Sequence, residues 1–98
     1  MEGEFRFLLL TPVKEVASCS CDAVNLWEKE NAAGHGGGSI GIRRGHLPAV
    51  IALAESGPLR VTLAGKTCFS GKVHGGFARI EPGSVTVLTP AAEVTTDD

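Results

Sequence analysis

Tyrosine is absent from this chain of 98 residues, tryptophan occurs once and phenylalanine four times. So few rings exclude a core built on aromatic stacking and leave the apolar load to Ala and Val. No apolar run approaches the ~20 residues that a membrane-spanning helix needs, which excludes such a helix, and no direct lipid insertion is expected. Neither sign of charge dominates: nine basic residues stand against eleven acidic ones, for a formal charge of -2. That balance lacks the basic footprint of a nucleic-acid binder. The opening Met1-Glu2-Gly3-Glu4 has no positive stretch of the kind that begins a signal peptide. Three cysteines are an odd number, and Cys19 and Cys21 stand too close in sequence to act as a disulfide staple. A reducing, cytoplasmic compartment is therefore expected.

What the chain does have is a 43% apolar content, enough for one real core at this length, and thirteen glycines for tight turns. Short apolar runs are cut repeatedly by turn residues. Phe5, Phe7 and Leu9 alternate with Arg6 and Leu8, predicting a first strand that ends at Thr11-Pro12. Residues 16–27 alternate again, as two strands or one long bent one, with Ala17, Cys19, Cys21 and Ala23 sharing a face. The glycine-rich stretch 34–38 predicts a break, and residues 28–38 are expected to be the most mobile segment. Ile40-Gly41-Ile42 resumes extended structure. Residues 49–54 are apolar throughout and fit either a buried strand or a helical turn. Leu59 to Leu63 alternates, Ala64-Gly65-Lys66 predicts a hairpin turn, and the last two strands are expected over 73–80 and 84–88. No stretch carries a helical stripe over three turns, and no internal repeat is present. About ten short strands at this spacing predict an all-β fold, a flattened β-sandwich or barrel over residues 1–93 with a frayed tail at 94–98.

Three kinds of chemistry are conceivable with these residues. Cys19, Cys21 and Cys68 with one of His35, His46 or His74 would be suitable zinc ligands. A Cys-x-Cys pair on a strand, however, puts both sulfurs on one face among small apolar neighbours, where free cysteine is ordinarily a buried hydrophobe. A nucleophilic Cys–His pair lacks any third orienting group. A phosphate cradle at 34–38 needs a helix to follow it, and here more strand follows. The sequence thus predicts no catalytic residue, no metal and no cofactor, and points to a domain that binds other proteins.

The ordered run from Ile40 through Arg43-Arg44-Gly45-His46-Leu47-Pro48 to Leu53 resembles a segment of the epsilon subunit of F-type ATP synthases. A second block fits the same family: His74-Gly75-Gly76, a strand to Ile80, then Ser84-Val85-Thr86-Val87-Leu88. The alternating strand closing on Thr11-Pro12 fits too, so the resemblance covers residues 4 to about 93. Departures are the Arg43-Arg44 pair in place of an apolar residue and Pro, His74 in place of a small residue, Ser39 where an acid is common, and a longer, glycine-rich 28–38 loop.

By itself each residue keeps a plain reading. Gly45, Gly75 and Gly76 supply backbone shapes that a Cβ forbids. His46 makes a local hydrogen bond or touches a partner. Arg43 and Arg44 are solvated or pair with acids on a neighbour. The resemblance implies a non-catalytic central-stalk subunit that links the gamma subunit to the polar loops of the membrane c-ring and couples rotation to ATP synthesis. It would be peripheral on the cytoplasmic side of the cell membrane, in a proton- or sodium-translocating enzyme. It implies partner contacts at Gly38, Ser39, Ile40, Arg43, Arg44 and His46. The family's pair of C-terminal helices has no room in the ten residues after Leu88, so this polypeptide is expected neither to inhibit ATP hydrolysis nor to bind ATP. The alternative is a stand-alone β-barrel that binds a small ligand or metal; a Cys-dependent enzyme is a third.

Overall fold

In the computed structural model of the chain, which describes residues 3–30, 36–45 and 47–95, ten strands form two five-stranded sheets. Alternation creates the first of them. Phe5, Phe7 and Leu9 are buried while Arg6 is exposed, so β1 (Phe5–Leu10) presents one apolar face to the interior. It pairs antiparallel with β2 (Glu15–Cys21) and parallel with β9 (Ser84–Leu88). β8 (Phe77–Glu81) and β5 (Ala49–Ala52) complete this sheet in the order β2-β1-β9-β8-β5. The second sheet runs β10-β7-β6-β3-β4, from β10 (Ala92–Val94), β7 (Lys66–Val73), β6 (Gly57–Leu63), β3 (Ala23–Glu30) and β4 (Gly36–Arg43).

The core lies between the sheets. Phe7, Leu9, Val85 and Val87 from one meet Val24, Leu26, Leu59 and Val61 from the other, all buried. Phe7 and Phe69 span the gap with ring centroids 6.1 Å apart, inside the range of favourable aromatic pairs. With so few rings available, this is the one such pair among the described residues, and Phe5, Cys21 and aliphatic side chains fill the rest of the core.

Residues 16–27 resolve into two strands in different sheets. The inward phase falls on Cys21 before the joint and on Val24 and Leu26 after it, so one extra residue slips the alternation. Asp22 marks the slip. Its N–H donates to the Thr62 carbonyl (2.9 Å), and its carboxylate accepts from the Ala64 N–H (3.0 Å). That second bond steadies the Ala64-Gly65 hairpin turn, where both residues have positive φ, 53° and 81°.

Several expectations need correcting. Gly36 to Gly38 do not break the structure: they open β4, with Gly38 opposite Glu28 and Gly36 opposite Glu30. The rest of the loop predicted to be mobile, residues 31–35, lies outside the described residues. β5 is an edge strand with Val50 exposed, not a buried one. The single strand expected over 73–80 is interrupted: Val73 ends β7, and β8 begins at Phe77 in the other sheet, with Gly75 and Gly76 between them at φ 79° and 101°. Leu88 does not end the sandwich, because β10 follows it and pairs with β7. Gly71 permits that approach: a Cβ there would strike the Glu93 carbonyl oxygen and, at 2.9 Å, the Phe69 ring. Pairing continues through Val94 opposite Gly71, and the Thr95 N–H donates to the Ser70 carbonyl (2.8 Å). Order therefore reaches two positions beyond residue 93. Residues 96–98 lie outside the described part.

Candidate functional site

Two surface features stand at opposite ends of β1, β8 and β9. Near the start of β1 is a narrow cleft bordered by Phe5, Arg43, Arg44, Glu81 and Gly83, with room of only about 10 Å³. At the far end is an apolar groove of about 400 Å³ lined by Leu10, Thr11, Pro12, Gly76, Phe77, Leu88, Thr89 and Pro90. At ~3.3 Å per residue the six residues of β1 hold the two roughly 17 Å apart.

Of the residues singled out by sequence, Arg43 and Arg44 border the cleft, whereas Gly38 and Ser39 stand toward the other end of β4, across from Glu28 and Trp27, which meet Leu53 and Ala54. Gly38, Ser39, Ile40 and Arg43 lie on β4, which is the edge of its sheet, opposite Glu28, Trp27, Leu26 and Ala23 respectively. Ser39 and Arg43 are exposed, whereas Gly38 and Ile40 are half-buried. Arg44 begins the turn after β4 and donates from Nη1 to the Glu4 carbonyl (2.9 Å), which ties the turn to the entry of β1. Among the described residues, no carboxylate lies within ion-pair distance of Arg43 or Arg44. Gly45 follows at φ 89° with open space around it. His46 lies outside the described residues.

The groove was not found from sequence. Parallel pairing of β1 and β9 sets Leu10 beside Leu88, and the Thr89 N–H donates to the Leu10 carbonyl (3.0 Å). Two Leu-Thr-Pro segments, 10–12 and 88–90, therefore lie side by side at the groove. Phe77, opposite Leu88 on β8, points outward and is 55% exposed, with Leu88 at 46%. The one available signal was that repeated Leu-Thr-Pro. The groove floor needs Gly76, since a Cβ there would collide with the Leu88 carbonyl oxygen.

The cysteines and histidines divide. Cys21 is fully buried, its thiol donating to the Phe5 carbonyl (3.5 Å), and burial pushes it up from 9.0 to about 12. Cys19 is half-buried and Cys68 exposed. His74 Nε2 lies 2.6 Å from Glu93 Oε2, linking the end of β7 to β10. Among the described residues no three His, Cys, Asp or Glu side chains are placed to hold a metal, and no helix is long and apolar enough to cross a membrane. The groove is an open trough rather than the closed pocket that a small-ligand barrel would require.

The chain matches the family model of the ATP synthase delta/epsilon chain β-sandwich domain over residues 4–95. It is 35% identical over 60 residues to the ATP synthase epsilon chain of Rhodococcus jostii, covering 61% of this chain and 49% of that one. With the epsilon chain of Acinetobacter baumannii it shares 34% identity over 84 residues, 79% of this chain and 60% of that one. The chain thus spans about half the length of the curated relatives it matches. Its fold is similar to that of a chain in the central stalk and c-ring of the Tetrahymena thermophila mitochondrial ATP synthase. There the TM-score is 0.67 at 15% identity, covering 89% of this chain and 63% of that one. A chain of the Euglena gracilis mitochondrial ATP synthase, in an assembly of OSCP, F1 and c-ring, gives 0.66 at 23% identity, covering 90% and 51%. With strand pattern, sandwich and family model in agreement along nearly its whole length, this chain belongs to the ATP synthase delta/epsilon β-sandwich family.

Proposed function

We propose that this sandwich is a non-catalytic rotor subunit in the central stalk of a proton- or sodium-translocating F-type ATP synthase, where it links gamma to the c-ring. The observation that carries the reading is the family match over residues 4–95. The charged turn and the apolar groove, at opposite ends of the same strands, support it, because a partner that touches both places keeps the sandwich from pivoting under torque. A sheet sandwich suits that mechanical role, since its interior is close-packed and deforms little under load. Gly38 and Ser39, polar and at a strand edge, would rest on the polar loops of the c-ring. The turn of Arg43, Arg44 and His46 would face gamma. Phe77 and Leu88 offer gamma a further apolar contact, of the kind that anchors permanent interfaces. The subunit would then be peripheral, on the cytoplasmic side of the cell membrane, with catalysis left to other chains.

The test is co-expression with the gamma subunit of the same organism, followed by size-exclusion chromatography. A single co-eluting complex is expected. Separate elution of a monomer that retains a small-molecule ligand would favour the stand-alone binder.

A further inference from the structure

The position of Cys68 has no role in the core, yet the fold aims it. Between β6 and β7 the pairing slips: Val61 stands opposite Phe69 but Thr62 opposite Thr67, so Cys68 is the extra residue of a bulge. Bulges re-aim the side chain they carry. Here the Cys68 thiol turns toward β2, in the other sheet, and lies 3.7 Å from the Ser20 carbonyl oxygen. Ser20 is the neighbour of Cys19 on that strand, so the Cys68 thiol lies beside the peptide that carries the Cys19 side chain. Cys21, two residues on, is fully enclosed and engaged with Phe5, so it takes no part.

We propose that Cys19 and Cys68 are a redox-modification site, which a small-molecule disulfide converts into a reversible bridge clipping edge strand β2 to β7 across the joint of the two sheets. The exposed Cys68 thiolate attacks the disulfide R–S–S–R, forming Cys68–S–S–R and releasing R–S⁻, which takes up a proton. The Cys19 thiolate then attacks the Cys68 sulfur, forms the protein disulfide and expels the second R–S⁻. Two protein thiols are oxidised and one small disulfide is reduced to two thiols. Burial first, and the neighbouring Cys68 second, hold the Cys19 thiol above its ordinary range. The closing step is therefore slow at neutral pH and quickens as pH rises.

The chain is incubated with oxidised glutathione at about pH 8.5, near the ordinary thiol range, and followed by intact mass, peptide mapping and thermal melting. Expected is a product lighter by two hydrogens with a Cys19–Cys68 cross-linked peptide. Its Tm should rise by about 10 °C, because the bridge closes a long loop, and dithiothreitol should reverse the change. Cys21→Ala should behave in the same way. Cys68→Ser, at an exposed position that leaves the core intact, should form no bridge, and neither should Cys19→Ser. A lasting glutathione adduct on Cys68, a Cys68-linked dimer or a Cys19–Cys21 bridge in the unsubstituted chain would overturn the proposal. So would a Cys19–Cys68 bridge that left Tm unchanged.

Discussion

The two ends of β1, β8 and β9 differ in how they are built. At the cleft end the turn at Arg44 and Gly45 is held by side chain to backbone, through one guanidinium bond to Glu4, with open space beside the glycine. At the groove end backbone meets backbone: Gly76 is pressed against the Leu88 carbonyl, and the Leu53 N–H donates to the Gly76 carbonyl (2.9 Å). The first end tolerates change and displays charge. The second is rigid and displays apolar surface. A surface meant for steering can be loosely held, whereas one that buries area against a partner gains from being fixed in advance.

Gly76→Ala is the strongest way to test that difference. Alanine at φ 101° is strained, and its Cβ meets a main-chain oxygen that cannot move without opening β9. A loss of about 3 kcal/mol in urea unfolding is expected. Gly45→Ala, at φ 89° but with nothing nearby, should cost only about 1 kcal/mol. Equal losses would mean that the two ends are equally constrained.

Much of the fold could be read from the chain because its causes are local. Alternation marks β1 and β6, and Ala64-Gly65 marks the hairpin turn from β6 to β7, since each depends on neighbours in sequence. β10 escaped because three residues with one half-buried side chain carry no pattern; a glycine in β7, more than twenty positions earlier, is what admits them. The groove escaped for a related reason. Its two Leu-Thr-Pro segments meet only through the parallel β1–β9 pairing, which no local signal announces. The β4 positions Gly38, Ser39, Ile40 and Arg43 were singled out through family resemblance, and the sheet order puts all four on an edge strand.

Phe77→Asp sharpens the comparison on the binding side. Phe77 is half exposed, and its replacement should leave the fold in place while adding a carboxylate to an apolar trough. Affinity for gamma should fall roughly thirtyfold, about 2 kcal/mol. Undiminished binding would remove the groove from the interface.

Alkaline pH should loosen the cleft end through Cys21, which pairs with Phe5 at the start of β1. Burial raises this thiol to about 12 in the folded chain, against 9.0 when free. The folded state then keeps its proton where the unfolded state has lost it. The stabilisation is complete below about pH 9 and disappears as pH rises toward 12. Between pH 8 and 10, in reducing buffer, unfolding free energy should fall by about 1 kcal/mol through this group. Cys21→Ala, less stable throughout, should show a shallower decline; an identical slope would assign the effect to other groups.

The smallest effect belongs to the arginines. Arg43 and Arg44 are exposed, and exposed ion pairs contribute little because water and salt screen them. Even so, neither has a carboxylate within ion-pair distance among the described residues, so both charges are free to meet acids on gamma. Reversing both, Arg43→Glu with Arg44→Glu, replaces attraction by repulsion and removes the Arg44 bond to the Glu4 carbonyl. Affinity for gamma should drop about fivefold, near 1 kcal/mol, with most of the change in association rate. The deficit should shrink at high salt, where a Phe77→Asp deficit should persist, because apolar contact is not screened. Surface plasmon resonance at two ionic strengths separates the cases. If binding by the double variant is unchanged at low salt, the arginines are solvated and gamma is held by the groove alone.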